Sequence, residues 1–206
     1  MAEMPRKLDK KVEEKLFQLA YLGINHAVTG LSQMIGDQLT ALEPHVEFVP
    51  ILSIPNLLGG PETEAAGIYL TASGEMSGQF MLILPLKKSL ELVDLLMFDP
   101  PGTNKELDDM GRSALAEVGN LSGAFFLNSV AELTGMQTLP SPPVVIVDMV
   151  GAILNIIVAT SAEQVDEVLL IQTRISSGER DVEASFWYIP DLLAMEKVAG
   201  LVEDEN

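Results

Sequence analysis

The segments ILPLKKSLELVDLLM, residues 83–97, and YIPDLLAMEKVAGLV, residues 188–202, decide the fold because they are two versions of one pattern. A shift of 105 residues aligns a proline, a glutamate and three apolar positions: Pro85 with Pro190, Leu90 with Met195, Glu91 with Glu196, Val93 with Val198, and Leu96 with Leu201. Each segment is typical of a strand that ends at a proline and is followed by an amphipathic helix. The pattern therefore indicates an internal repeat.

The long helical segments upstream repeat as well, but with a shift of 99 residues. The equivalent positions are Leu22 and Leu121, Leu31 and Val130, Pro44 and Pro143, and Val46 and Val145. The change from 99 to 105 places six extra residues between the long helix and the last strand of the second copy. A duplication is the simplest explanation of both shifts.

Each copy is predicted to run helix, strands, helix. In the first copy, the patterns predict a helix over 9–39, strands within 45–54, 64–72 and 76–85, and a helix over 86–97. In the second copy, they predict strands near 143–150, 166–176 and 181–189 after the long helix, and then a final helix. The stretch DPPGTN, residues 99–104, is the predicted linker between the copies.

The second long helix has signals at both of its ends. Thr103 is the expected N-cap, and Glu106, three residues later, is its expected partner in a capping box. Gly135 follows the last helical residues and suits the left-handed conformation that ends many helices.

The predicted fold class is α+β, with an antiparallel sheet covered by long helices and a pseudo-twofold repeat. Short turns between consecutive strands favour the antiparallel pairing. Neither copy has a core bounded by linkers, so we expect one domain over residues 1–206. Repeat one would cover about 9–98 and repeat two about 104–202.

Composition excludes several classes of function. The net charge of -18 leaves nothing to replace the counterions around a phosphate backbone, so nucleic acid is not an expected partner. The absence of cysteine excludes disulfides, thiol nucleophiles and thiolate metal sites. Because His26 and His45 also lack metal-ligand spacing, no metal site is expected in the chain itself.

The sequence also favours a cytoplasmic location. The first residues, MAEMPRKLDKKVEEK, lack the apolar region of a secretory signal. Residues 143–160 are long enough for a membrane span, but Asp148 and Asn155 interrupt them. Their β-branched residues favour a buried strand followed by a short apolar element, so we expect no membrane insertion.

The second long helix carries one row of small and polar side chains. Ser113, Glu117, Asn120 and Ala124 are spaced by four, three and four residues, which places them within about 60° of arc. The row lies beside the predicted sheet-facing stripe, which consists of Leu107, Met110, Ala114, Val118, Leu121 and Phe125. We therefore expect the row to be accessible.

Two interpretations of Glu117 and Asn120 stand side by side. A carboxamide can orient an attacking water, and a carboxylate one turn away can hold a lysine or arginine of a partner. Alternatively, an exposed glutamate is ordinary, and Asn120 simply accompanies a close-packed or bent segment near Gly119 and Gly123. The row has no general base of its own, so an enzyme built on it would need a substrate that brings most of the catalytic groups.

The segment SALAEVGNLSGAFFLNSVAELTG, residues 113–135, resembles the signature of the CheC, CheX and FliY phosphatases of bacterial chemotaxis. That signature is an aspartate or serine, three residues, a glutamate, two residues, an asparagine, twenty-two residues and a proline. Ser113, Glu117, Asn120 and Pro143 match its four positions. The stretch PPVVIVDMVGAI and the twofold repeat also look like CheC, so the resemblance covers nearly the whole chain and is closest to CheC-like proteins.

This resemblance implies a protein phosphatase that removes the phosphoryl group from the phospho-aspartate of a CheY-like response regulator. It implies that Asn120 positions the attacking water and that Glu117 contacts a lysine of the regulator, with Ser113 and Pro143 as supporting positions. The regulator would supply Mg²⁺, the lysine and the acyl phosphate. A CheD-like deamidase is a second expected partner, because some CheC proteins bind one.

The first copy departs from the signature. Glu14 and Pro44 stand at its first and last positions, but Gln18 and Tyr21 replace the glutamate and the asparagine. A tyrosine there would fill the space of the water, so we expect this site to be inactive. The resemblance thus leaves two functions open: a phosphatase with one intact site, or a noncatalytic adaptor that binds a receiver domain or a CheD-like deamidase. A modified first site that uses Gln18 or Asn25 is a third idea.

Overall fold

The computed structural model describes residues 10–36, 38–160, 167–177 and 180–204 of the chain. Within these ranges the chain forms six α-helices, seven strands and one 3-10 helix. In chain order they are α1 (Lys10–Ile35), β1 (Thr40–Pro50), the 3-10 helix (Ile51–Ser53), α2 (Ile54–Leu57), β2 (Glu64–Gly74), β3 (Gly78–Pro85), α3 (Leu86–Leu96), α4 (Asp109–Thr134), β4 (Thr138–Pro140), β5 (Val144–Met149), α5 (Val150–Thr160), β6 (Glu167–Ser177), β7 (Arg180–Pro190) and α6 (Leu192–Asp204).

The seven described strands form one antiparallel sheet in the order β1-β6-β7-β3-β2-β4, and β5 also pairs with β2. The order shows that the two copies exchange edge strands. β1 of the first copy pairs with β6 of the second, and β5 of the second pairs with β2 of the first. β3 and β7 pair at the centre, where Leu82 lies opposite Phe186. The predicted α+β class and its pseudo-twofold repeat are therefore confirmed.

The two copies match closely in their long helices. α1 and α4 each contain 26 residues, and both ends of α4 lie 99 positions after those of α1. The copies differ after the next strand, where α5 has 11 residues. The first copy has only a 3-10 helix of three residues and the four-residue α2 at that place. Four of the six predicted extra residues thus lie in α5.

Helices cover the sheet on both faces. Buried side chains of α1, α3, α4 and α6 pack on one face, and those of α2 and α5 pack on the other. The alternation of β3 shows the two sides: Leu82 and Leu84 join the long helices, whereas Met81 and Ile83 join the short ones. The long helices, including the one with the signature, therefore share a single layer.

Three predicted boundaries are wrong for local reasons. α1 ends at Ile35 rather than near Leu39, because Gly36 takes a left-handed φ of 68° that stops the helix. The strand predicted within 45–54 instead runs from Thr40 to Pro50, and the residues that follow it are helical. Pro55 lies in the first turn of α2, where its fixed φ suits a helix. The sequence also failed to predict the three-residue strand β4.

The capping box predicted for the second long helix is wrong. α4 begins at Asp109, and a carboxylate oxygen of its N-cap Asp108 accepts a hydrogen bond from the Gly111 N–H at 2.8 Å. The predicted cap Thr103 donates its hydroxyl to the Pro100 carbonyl instead. The C-terminal prediction is confirmed, since Gly135 has a φ of 73° and its N–H donates to the Ala131 carbonyl.

A buried carboxylate holds the linker between the copies. Asp94 in α3 is 1% exposed and accepts hydrogen bonds from the Gly102 N–H, the Asn104 N–H and the Asn104 side chain. These bonds fix residues 102–104 as a loop, which explains why α4 cannot start at Thr103. The linker prediction for 99–104 is consistent with this loop.

Residues 143–160 divide into β5 and α5, as the interruptions in their hydrophobicity indicate. Across the described ranges, no helix combines the length and the apolar character that a membrane span requires. The assignment of residues 1–206 to one domain stays a prediction, because the structure does not describe every part of that range.

Candidate functional site

The signature row is on the surface of α4. Ser113, Glu117 and Asn120 are all exposed, and Ala124 at the end of the row is partly buried. Glu117 and Asn120 are one helical turn apart and therefore project to the same side. The expected accessibility of the row is confirmed for the three signature residues of the helix.

The sheet-facing stripe of α4 is rotated from its predicted position. Met110 was expected inside but is 61% exposed, and Leu121 is only partly buried. The buried positions are instead Gly111, Leu115, Val118, Gly119, Ser122, Gly123, Phe126, Leu127, Ser129 and Val130. Five of these ten positions are glycine or serine, so a stripe of large apolar side chains alone does not mark the buried face.

Glu117 and Asn120 are free to meet another molecule. Among the residues described, neither side chain has a hydrogen-bond or ion-pair partner. Ser113 differs, because its hydroxyl donates to the Asp109 carbonyl at 2.9 Å within the helix. The carboxylate and the carboxamide are thus available for external contacts, whereas the serine hydroxyl already serves the helix backbone.

Pro143 lies where the strand beside β2 is interrupted. The pairing with β2 passes from Ala72 opposite Pro140 to Tyr69 opposite Val144. Three residues along β2 therefore correspond to four residues along the partner strand, which is characteristic of a β-bulge. Proline suits this place because it has no N–H to donate to a neighbouring strand.

The first copy has the same irregularity at its own proline. The register between β1 and β6 shifts between Leu42 and His45, so the shift spans Pro44. Both copies thus carry one extra residue at equivalent positions. The proline of the signature marks a feature of the shared frame, and it is present in the copy that lacks Glu117 and Asn120.

The bulge lies against the helix that carries the signature. A Cβ placed on Gly119 would lie 3.4 Å from Cβ of Pro143. Ser141, two residues before Pro143, is fixed to β2, since its N–H donates to the Thr71 carbonyl at 2.7 Å and its hydroxyl accepts from the Thr71 N–H at 3.0 Å. The structure therefore brings Pro143 next to the turn between Glu117 and Asn120.

The equivalent row in α1 carries different chemistry. Gln18 and Tyr21 are exposed, and Glu14 forms an ion pair of 3.7 Å with Lys10. Tyr21 is 47% exposed at the place of Asn120. The amide N–H of Asn25 donates to the Tyr21 carbonyl at 2.7 Å, so its nitrogen serves the helix backbone. Side-chain packing of Pro44 lies outside what the structure describes.

The described part of the chain contains no group of three or more histidine, aspartate or glutamate side chains that could hold a metal ion. A carboxylate and a carboxamide alone make a poor site for Mg²⁺, which prefers near-octahedral oxygen ligation. What the site can do is position a water and hold a cation that another molecule brings.

Glycine and serine contribute to the candidate site in ways that the sequence alone does not predict. Gly119 and Ser141 determine how the helix and the bulge meet, yet neither carries reactive chemistry. The sequence does contain a signal, because two glycines four residues apart lie on one face of a helix and permit close packing. Only the structure shows which partner approaches them.

The fold and the signature together define a protein similar to the CheC-like class. A model of the family described as "CheC-like family" matches residues 110–147, which include all of the signature from Ser113 to Pro143. The CheY-P phosphatase CheC of Bacillus subtilis (strain 168) is 25% identical over 187 residues, which make up 89% of this chain and 90% of that protein. The resemblance found in the sequence is confirmed.

Solved structures share the fold. FliY of Thermotoga maritima superimposes with a TM-score of 0.78 at 18% identity, and the match covers 97% of this chain and 99% of that one. A CheX-CheY-BeF3-Mg²⁺ complex from Borrelia burgdorferi matches with a TM-score of 0.51 at 14% identity, over 89% of this chain and 99% of the matched one. These structures support the pseudo-twofold α+β architecture.

Proposed function

We propose that this chain is a phosphatase that hydrolyses the phospho-aspartate of a CheY-like response regulator. The observation that carries the proposal is the exposed and unpartnered pair Glu117 and Asn120, next to Pro143, in a segment that matches the CheC-like family. The similarity to a CheY-P phosphatase over most of both chains supports the same activity. A cytoplasmic location, where response regulators act, follows from the proposal.

In the proposed mechanism, Asn120 orients the attacking water. Its carboxamide accepts a hydrogen bond from the water and leaves a lone pair of the water oxygen directed at phosphorus. The water oxygen forms the new bond to phosphorus while the bond between phosphorus and the aspartate oxygen breaks. The products are inorganic phosphate and the free aspartate carboxylate of the regulator. Positioning alone supplies a large rate gain in phosphoryl transfer.

Glu117 has the role of an anchor in this proposal. Its carboxylate forms a charge-assisted contact with a lysine of the regulator, one turn along the helix from Asn120. The regulator brings Mg²⁺ together with the acyl phosphate, and the metal belongs to the substrate. The related CheX-CheY complex contains Mg²⁺ and the phosphoryl analogue BeF3, which is consistent with this division of roles.

The substitution Asn120→Ala tests the proposal. We expect it to reduce the stimulated loss of phosphate by about 10²-fold or more, because one preorganised group is removed from the reacting atoms. Binding to the beryllofluoride-loaded regulator should change little. Asn128→Ala is the matched control, since Asn128 is also exposed on α4 but lies eight residues, or about 12 Å, further along the helix than Asn120. Full activity in the Asn120→Ala variant would refute the mechanism.

A noncatalytic adaptor is the second candidate function, and α1 is the observation that favours it. α1 keeps the length and frame of α4 but carries Gln18 and Tyr21 instead of the catalytic pair. An adaptor would bind a phosphorylated regulator, or a CheD-like deamidase, without changing the lifetime of the phosphate. Residual activity after substitution of both Glu117 and Asn120 would instead indicate a modified site at Gln18 or Asn25.

A further inference from the structure

Two glycines allow the helix that carries Glu117 and Asn120 to pack closely against the sheet. Gly119 and Gly123 are both buried on the face of α4 that meets β2. A Cβ on Gly119 would overlap Cγ2 of Ile68, and one on Gly123 would lie 2.8 Å from Cδ2 of Leu70. Ile68 and Leu70 belong to β2, so α4 packs against this strand.

The two contacts differ in how easily they could adjust. Ile68 is 1% exposed and branched at Cβ, so its Cγ2 cannot move without a change of rotamer or of backbone. The atom facing Gly123 is the end of a leucine, which can rotate away. Gly119 is therefore the position at which the distance between α4 and β2 is fixed.

The first copy has no glycine at either of the equivalent positions. The positions of α1 equivalent to Gly119 and Gly123 are Ala20 and Ile24, and both are buried. α1 thus carries side chains where α4 carries only backbone. The glycine pair occurs in the copy that has Glu117 and Asn120, and it is absent from the copy that lost them.

The same strand also fixes the other side of the site. Ser141 forms two hydrogen bonds with the Thr71 backbone in β2. Pro143 lies two residues later, in the bulge that contacts Gly119. Asn120 is the next residue after Gly119, so any displacement of α4 from β2 moves its carboxamide relative to Pro143. One strand therefore sets the position of both the helix and the bulge.

We propose that Gly119 is a positioning residue, which acts through its contact with Ile68 to hold Asn120 at the height from which it can direct a water at the phosphoryl group. This inference rests on the phosphatase function proposed above. It predicts that the catalytic step depends on the distance between α4 and β2. Docking of the regulator depends on it less, because exposed side chains keep their identity and spacing along the helix.

The test compares Gly119→Ala with Gly123→Ala. An alanine at Gly119 must push α4 from β2 by about 1 Å, and a misplacement of that size can cost about 10²-fold in rate. We expect kcat of Gly119→Ala to fall by about that factor, with KM and binding of the beryllofluoride-loaded regulator within about threefold of the wild type. Gly123→Ala should keep kcat within about threefold, because the Leu70 side chain can rotate away.

A second-site change separates positioning from simple destabilisation. Ile68→Leu removes the branch at Cβ, and with it Cγ2, while it conserves the volume of the side chain. The double variant Ile68→Leu/Gly119→Ala should recover most of the lost kcat, measured against Ile68→Leu alone. This comparison also serves if Gly119→Ala alone does not fold, since the double variant relieves the overlap.

Each outcome is decisive. A wild-type chain that does not shorten the phosphate lifetime of any receiver domain refutes the phosphatase function, and the positioning role falls with it. A wild-type chain that is active, with Gly119→Ala folded and as active as Gly123→Ala, refutes the positioning role alone. A double variant that is folded but still inactive also refutes it, because the contact with Ile68 would not be the cause.

Discussion

Glu117 and Asn120 have different roles in the proposed reaction, because one side chain is a charged carboxylate and the other is a neutral carboxamide. The neutral carboxamide can act on a water, whereas the carboxylate can attract a cation from a distance. Removal of charge without loss of shape therefore tests Glu117 separately from Asn120.

For Glu117→Gln we expect kcat/KM to fall by roughly tenfold, in line with the loss of one charge-assisted contact. The change should be smaller at high salt, since ions already screen the wild-type attraction. Steady-state kinetics at low and high ionic strength measure both effects. Glu132→Gln is the control, because Glu132 is exposed on α4 outside the signature. An equal loss in both variants would mean that only the overall charge matters.

At the scale of single residues, the sequence predicts correctly that the signature side chains of α4 are exposed, but it does not predict which residues support them. The spacing of Ser113, Glu117 and Asn120 determines their common side of a helix, and the exposure of each follows. Met110 is exposed against expectation because the buried face of α4 also includes five glycine and serine positions, which a stripe of large apolar residues leaves out. The helical periodicity of large apolar residues identifies the buried face of a helix only when that face consists mainly of such residues.

At the scale of elements, glycine has opposite effects at two helix positions. Gly135 ends α4 with a φ of 73°, and Gly200 lies inside α6 without a left-handed φ. No heavy atom lies within 4 Å of a Cβ built at either position. Both positions therefore have room for an alanine Cβ, and they differ in backbone conformation.

We expect Gly135→Ala to lower the free energy of unfolding by about 1 kcal/mol, because alanine is strained in the left-handed region. Gly200→Ala should raise it by roughly 0.5–1 kcal/mol, because alanine favours the helix. Urea unfolding followed by circular dichroism measures both values. The same sign in the two variants would contradict this explanation.

The bulges at Pro44 and Pro143 show what an element requires from its neighbours. Each proline was recognised as an aligned position, but a proline alone does not specify a bulge. The extra residue exists only relative to the partner strand, β6 in one copy and β2 in the other. Strand register is a property of a pair, so a single segment cannot reveal it.

At the scale of the whole molecule, Asp94 connects the two copies. Burial by itself raises the pKa of this carboxyl, but hydrogen bonds from the backbone and side chain of Asn104 and from the N–H groups of Gly102 and Thr103 outweigh that effect. The pKa of Asp94 is therefore held below its ordinary value of 3.8. The folded state favours the charged form of the group.

The sign of the resulting pH dependence follows from that lowered pKa. The contribution of Asp94 to stability is present above the ordinary pKa and is lost as the pH falls through the lower pKa of the folded state. We expect Asp94→Asn to lower the free energy of unfolding at neutral pH. The difference in this free energy between the variant and the wild type should become smaller below about pH 4. Urea unfolding across this range measures it.

Glu106→Gln is the matched control for Asp94→Asn. Glu106 is exposed and does not cap α4, so neutralising it should leave stability nearly unchanged at every pH. A deficit for Asp94→Asn that stays constant from neutral to acidic pH would show that packing, and not the carboxylate, holds the loop over 102–104.

The sequence by itself determined the repeat, the long helices with their spacing of 99 residues, the left-handed Gly135, and the single copy of the Glu117 and Asn120 pair. These features depend on the periodicity and conformational preference of neighbouring residues, which a sequence displays directly. The α+β class followed from short turns between consecutive strands, which favour antiparallel pairing, and from helices that lie outside the runs of strands.

Only the tertiary structure decided how the copies exchange edge strands, where the bulges fall, and which face of α4 meets the sheet. It also placed the N-cap at Asp108, because the buried Asp94 holds the preceding loop. Each of these features depends on contacts between different segments of the chain. Their energies come from pairing and packing between segments, so no single segment carries the information. The close contact between Gly119 and Ile68 is the clearest case, since neither residue alone indicates how near α4 lies to β2.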